Sequence, residues 1–161
     1  HKYFQRLRRI SQLGLSYLVY PGAQHTMFQH AIGSLHLMNK ALSQLENKGH
    51  KISKLEKEGV KIAILLHDIG HCPFSHALER AIVRDMSHEQ LTLIYMHKFN
   101  EKFNGKLSLA IKIFENKYER KFLNQLVSSQ LDMDRLDYLK RDSFFTGVTE
   151  GNIGVDRIIS Q

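Results

Sequence analysis

Residues 67 to 79 read His67-Asp68-Ile69-Gly70-His71-Cys72-Pro73-Phe74-Ser75-His76-Ala77-Leu78-Glu79, which puts three histidines and two acids within 13 residues. Imidazole nitrogen and carboxylate oxygen are the ligand set of borderline divalent metals. Adjacent His67 and Asp68 would point about 100° apart on an ideal helix. They can converge on one ion if the helix that carries them ends there, an ending that Gly70 permits. His76 and Glu79, three residues apart, share a helix face. A carboxylate beside an imidazole fixes its tautomer and raises its pKa, which is how an acid–base group is prepared. A lone His-Asp pair is common by chance, and a lone histidine is more often a satisfied core or surface group. The clustering is what points to chemistry, because it follows an apolar run, and burying unpaired polar groups costs on the order of several kcal/mol.

A second stretch, Leu131 to Asp142, reads Leu-Asp-Met-Asp-Arg-Leu-Asp-Tyr-Leu-Lys-Arg-Asp. With Asp134 at 0° on a helical wheel, Tyr138 falls at about 40°, Arg141 at about −20° and Asp142 at about 80°. Met133, Leu136 and Leu139 gather on the other side. One helix thus offers carboxylate, phenol and guanidinium on one side and an apolar seam opposite. On spacing alone the plainer reading is an exposed face laced with i,i+4 pairs such as Asp137 with Arg141.

The elements that must hold these groups are helical. Leu35, Met38, Leu42 and Leu45 follow at three, four and three residues and mark one helix face. His30 lies near the start of that helix and Gly49 ends it. Val60, Ile62, Ala63, Ile64, Leu65 and Leu66 form a helix apolar nearly all round, hence central, leading into His67. Pro73 suits the start of a further helix through Ala77, Leu78, Ala81 and Ile82. Others are expected over Ser87 to Phe103, in two short pieces between Leu107 and Val127, and from Leu131 to Phe145, closed by Thr146-Gly147. There is no alternating strand pattern of useful length and no internal repeat. The expected fold is all-α, one domain over residues 1–161.

Composition agrees with a globular domain. The chain has 161 residues, 42% hydrophobic and 24% charged, which excludes a disordered or fibrous chain. No apolar run is long enough for a membrane span. The single cysteine, Cys72, excludes an internal disulfide framework and a Cys-only zinc site, and fits a reducing, cytoplasmic setting. The chain begins at His1 rather than Met and reads as a piece of something longer. Lys plus Arg number 23 against 16 for Asp plus Glu, a net charge of +7 that favours anionic partners such as nucleotides or nucleic acid. The basic residues are spread along the chain without the interleaved aromatic stripe used to stack bases, so nucleic acid is not favoured.

Several stretches, in order, carry a resemblance. They are Phe4-Gln5-Arg6-Leu7-Arg8 with Gln12-Leu13-Gly14, then Tyr20-Pro21-Gly22-Ala23, Phe28-Gln29-His30, the run from His67 to Glu79, and Ser87-His88-Glu89-Gln90. Last come Asp132-Met133-Asp134-Arg135-Leu136-Asp137-Tyr138 through Arg141-Asp142-Ser143 and Thr146-Gly147. Together they resemble the HD-domain phosphohydrolases, whose pattern is H…HD…D, and within them the dNTP triphosphohydrolase branch, which includes bacterial dGTPases and the sterile-alpha-motif/HD enzyme. The resemblance implies an HD-domain helical bundle.

It also implies roles. His30, His67, Asp68 and Asp134 would be metal ligands for Mn, Fe, Ni, Zn or Mg. His71, His76, Glu79 and His88 match catalytic positions. Gln12, Tyr138 and Asp142 match positions that hold the deoxyribose and its 3′-hydroxyl, Leu13 lies under the base, and Arg135 stands on the phosphates. Arg8 resembles a residue near substrate or effector nucleotide. Two positions depart from the pattern: Met27 stands where the family often has Arg, and Cys72 where it has Gly. The implied activity converts a dNTP and water to a deoxynucleoside and triphosphate, with an effector nucleotide and a homo-oligomer as possible features of the full-length protein. Two alternatives stay open: an HD phosphohydrolase acting on another nucleotide phosphoester, and a non-catalytic module that senses nucleotides or binds nucleic acid.

Overall fold

The computed structural model describes residues 1–75 and 86–161. The helix expected after Pro73, with His76 and Glu79, falls largely on residues 76–85 and so lies outside the described residues. The described residues form eight α-helices: α1 (Lys2–Gln5), α2 (Met27–Asn47), α3 (Lys54–Leu66), α4 (His88–Lys102), α5 (Ser108–Phe114), α6 (Lys121–Gln125), α7 (Met133–Thr146) and α8 (Val155–Ser160). Extended pairing among them is limited to one antiparallel bridge between Ser11 and Thr26. No described helix is long and apolar enough to cross a membrane.

The helix starts are written locally. Thr26 with Gln29, Ser53 with Glu56 and Ser87 with Gln90 each form a reciprocal capping box at the heads of α2, α3 and α4. Each satisfies two backbone donors that the first turn would leave orphaned. Asp132 caps α7 by accepting from the Arg135 N–H at 2.6 Å. At its other end Gly147 takes φ 76°, the left-handed turn that closes the helix at the expected place.

α3 is the central element, lying against α2 and α5, while α2 also packs along α7. Its Val60, Ala63 and Ile64 are fully buried and meet Met38, Met96, Ile113 and Leu136 in one core. A smaller cluster of Leu7, Ile10, Met27 and Ala31 fastens the N-terminal segment to α2. Met27 is 1% exposed, so the side chain at this departure from the family pattern is a packing residue.

Glu56 ties α3 to the segment between α5 and α6. Its carboxylate accepts from Arg120 at 2.9 and 3.0 Å and from the Tyr118 hydroxyl at 3.1 Å. Burial raises the Glu56 carboxyl, but the Ser53 N–H and hydroxyl, with Arg120 and Tyr118, outweigh it and hold the pKa at about 2. A depressed folded-state pKa stabilises the protein above the unfolded value of 4.5 and stops doing so as pH falls to about 2. Glu56→Gln is therefore expected to lower stability by about 3 kcal/mol at neutral pH, at about 1.4 kcal/mol per pKa unit. In urea titrations the gap to wild type should close between pH 5 and pH 2. A gap that does not change with pH would contradict this assignment.

Candidate metal centre and active site

α3 ends at Leu66, and His67 is its C-cap. Asp68, Ile69 and Gly70 form the turn that follows. The sequence assigns Gly70 the role of helix terminator, but its actual role differs. It has no left-handed φ. What it lacks is a Cβ, which would overlap the His88 carbonyl oxygen and crowd Thr92. The turn is pressed directly on the head of α4. There the fully buried Thr92 hydroxyl accepts from the Gly70 N–H at 3.0 Å and donates to the His67 carbonyl at 2.9 Å. Arg6 clamps the same turn from the N-terminal segment, donating to the carbonyls of His71, at 2.7 Å, and Ile69.

This turn brings His67 and Asp68 to His30 on α2 and Asp134 on α7. His30 Nε2 lies 3.0 Å from Asp134 Oδ1, 3.4 Å from Asp68 Oδ2 and 3.2 Å from His67 Nε2. His67 Nε2 lies 3.3 Å from Asp68 Oδ2 and 3.4 Å from Asp134 Oδ1. Ligands about 2.1 Å from an ion are separated from one another by about 3.0 Å at right angles and about 3.4 Å in a tetrahedron. The four side chains are thus spaced as a coordination shell, and the cluster could hold a divalent metal.

The far sides of both imidazoles agree with this. His67 Nδ1–H donates to the Ile64 carbonyl at 2.6 Å, and His30 Nδ1–H donates to Asp137 Oδ2 at 2.8 Å. Each ring then aims its Nε2 at the other, an arrangement that calls for a positive charge between them, which a proton or a metal cation would supply. Burial pushes the His67 imidazole down, yet Asp68 and Asp134 outweigh it and lift the pKa to about 10. His30 is likewise raised against its burial, through Asp134, Asp137 and Asp68. Burial raises the Asp68 and Asp134 carboxyls, and the neighbouring imidazoles overcome that and hold both far below their usual range. The same field stabilises a bound cation.

Asp137 corrects the plainer sequence reading of α7. It does pair with Arg141, at 2.8 and 2.9 Å, but it is 6% exposed and lies on the core side of the helix. Gly33 of α2 makes room, since a Cβ there would overlap both Asp137 and Arg141. The i,i+4 spacing was legible; the burial was not. An outer partner of a ligating histidine is worth about 10–100-fold in metal affinity. Asp137→Asn, which can present its amide N–H to His30 and unsettle the tautomer, should weaken metal binding by that factor in equilibrium dialysis. Unchanged affinity would make Asp137 purely structural.

Beside the cluster stand His71 and His88. His71 Nε2 is 3.3 Å from Asp68 Oδ1, and the His71 and His88 rings stack at 4.2 Å between centroids, 16° from parallel. Asp68, His71 and His88 are close enough to form a second metal group. Imidazole lone pairs lie in the ring plane, however, and those of nearly parallel rings run side by side instead of converging. The arrangement suits proton transfer better than coordination. A cavity of about 410 Å³ opens onto His67, Asp68, Asp134 and His88, walled by Leu93, Phe114 and Val127.

The expected substrate residues divide. Asp134, Tyr138 and Asp142 sit at four-residue intervals along α7, so they share a face about 12 Å long at 1.5 Å per residue. Gln12 and Leu13 are half-buried. The Gln12 N–H donates to the His25 carbonyl at 3.0 Å, and the His25 ring, which the sequence did not single out, bonds Asp142 at 2.6 Å. Arg135 is exposed, and its charge acts on Asp132, the cap of α7. Arg8 lies over the Phe28 ring at 3.6 Å.

Comparison with known proteins adds four findings. Residues 27–142 match the HD domain family. The chain is 61% identical to a phosphohydrolase of known structure from Bacteroides thetaiotaomicron, with a TM-score of 0.96, over 99% of this chain and 40% of that one. It is 36% identical to the uncharacterized protein YwfO of Bacillus subtilis over 97% of its own length and 37% of that protein. It is 34% identical to a protein of Dictyostelium discoideum named deoxynucleoside triphosphate triphosphohydrolase SAMHD1 homolog, over 89% of its length and 32% of that one. The chain thus spans about a third of the length of these curated relatives.

Proposed function

The chain belongs to the HD-domain family, and from that premise we propose that it is the catalytic part of a metal-dependent nucleotide phosphohydrolase, most specifically one that splits a deoxynucleoside triphosphate into deoxynucleoside and triphosphate. The observation that carries the reading is the set of four ligand atoms from His30, His67, Asp68 and Asp134, all within 4.8 Å of one another, with each imidazole 3.0–3.4 Å from the other and from both carboxylates, beside a stacked histidine pair. The likeness to a triphosphohydrolase homolog supports the finer substrate assignment.

His30, His67, Asp68 and Asp134 would hold the ion. A divalent ion there supplies Lewis-acid polarisation of a phosphoryl oxygen and a lowered pKa for water. The residues supply the rest. Asp68 uses one carboxylate oxygen toward the ion's ligand cluster and the other toward His71, so it fixes the histidine pair relative to the phosphorus. Water forms a bond to the α-phosphorus, and the bond from that phosphorus to O5′ breaks. The electron pair left on O5′ takes a proton from His88, backed by His71, and the products are a 5′-hydroxyl and inorganic triphosphate. Arg135 offsets charge building on the phosphates. Tyr138, one turn from Asp134, would stand at the sugar edge and crowd a 2′-hydroxyl.

The test is a screen of the full-length protein against the four dNTPs, the matching NTPs and a generic phosphodiester, each with Mn, Fe, Ni, Zn or Mg. Turnover of at least one dNTP over its ribonucleotide is expected. Faster hydrolysis of ribonucleotides would reject the dNTP assignment while leaving the coarser phosphohydrolase reading intact.

A further inference from the structure

His25 lies in no helix and on no metal ligand, yet it is 1% exposed. Its Nε2–H donates to Asp142 Oδ1 at 2.6 Å, across 117 residues of sequence. Its Nδ1 is buried without a hydrogen-bond partner among the described residues, so the whole polar capacity of the ring goes to one carboxylate oxygen. The ring is otherwise held by stacking on Phe145, 4.6 Å between centroids and 20° from parallel. Pure packing does not call for a histidine, because a phenyl ring stacks as well without burying an unsatisfied nitrogen.

Two further contacts set this ring in place. Gly22 lies so close to α7 that a Cβ would overlap the Phe145 carbonyl, which keys the turn at Pro21 onto the end of that helix. The His25 carbonyl accepts from the Gln12 N–H at 3.0 Å, and Gln12 Oε1 is buried without a partner among the described residues. Asp142 Oδ2 likewise has no hydrogen bond among the described residues, and its side chain is 23% exposed. His25 therefore joins both residues, Asp142 through its imidazole and Gln12 through its backbone carbonyl. The second Asp142 oxygen can accept a hydroxyl's proton, and the Gln12 amide NH2 can donate to that hydroxyl's oxygen.

We propose that His25 is a positioning residue that fixes the Asp142 carboxylate, in register with Gln12, for the 3′-hydroxyl of the sugar; this rests on the nucleotide reading above. It does not touch substrate. It holds one oxygen of Asp142 so that the other faces the ligand already oriented.

The experiment compares kcat/KM for a dNTP and for its 2′,3′-dideoxy analogue in the full-length, metal-loaded protein. His25→Phe keeps the ring and its stacking but cannot donate. The preference for the 3′-hydroxyl should fall about 10–100-fold, the worth of a hydrogen bond to a charged group. His25→Gln, whose amide extends about as far as Nε2, should recover most of it. If His25→Phe does not fold, as judged by circular dichroism, His25→Asn, too short to reach Asp142, should show the same collapse. An unchanged preference in these variants, or an equal slowing of both substrates, overturns the role. A wild-type protein that turns over dNTPs without distinguishing the two sugars also overturns it, and one inert toward dNTPs removes the nucleotide reading together with it.

Discussion

Asp68→Ala is expected to abolish metal binding and hydrolysis together. Asp68 Oδ2 faces both His30 and His67, and Oδ1 faces His71. The substitution removes one of four candidate ligands and the link between the ion and the proton-transfer pair. It also leaves two facing imidazole nitrogens with one fewer carboxylate to balance the charge between them. The loss of affinity should exceed the about 10–100-fold assigned to an outer partner such as Asp137. Metal analysis after dialysis should find the variant empty, with turnover lowered by at least the same factor. Full metal content with lost activity would make Asp68 an acid–base group and leave the ion to other ligands.

His88→Gln is expected to do the opposite on one axis. Turnover should fall about 10²–10⁴-fold, the range for a positioned acid or base, while metal content stays at the wild-type level. The stacked geometry gives the reason: the His71 and His88 rings are 16° from parallel and cannot converge on one ion. His71→Gln should behave similarly, with some added loss through Asp68. If metal content falls in step with activity in His88→Gln, the second cluster is a metal site after all.

The helices and the HD run were legible because they are written in short range. The apolar run of α3 and the His67-Asp68 pair that follows it lie within a few turns of chain. The groups that tune the site were not legible, because their partners are remote. Asp137 meets His30 across 107 residues, and Thr92 reaches His67 across 25. The i,i+4 pair of Asp137 and Arg141 was visible, but only Gly33, on another helix, decides that it is buried. Gly70 was singled out for its backbone freedom, yet close approach to α4 is what it supplies. His25 stood between the stretches Tyr20 to Ala23 and Phe28 to His30, and no spacing rule discloses its partner Asp142, 117 residues away.

The central claim is that water attacks the α-phosphorus of a deoxynucleoside triphosphate at the His30, His67, Asp68 and Asp134 centre. Hydrolysis in ¹⁸O-labelled water, followed by mass spectrometry of both products, tests it most directly. The account predicts one ¹⁸O in inorganic triphosphate and none in the deoxynucleoside. Label in the nucleoside, or pyrophosphate and a nucleoside monophosphate as the products, would contradict it.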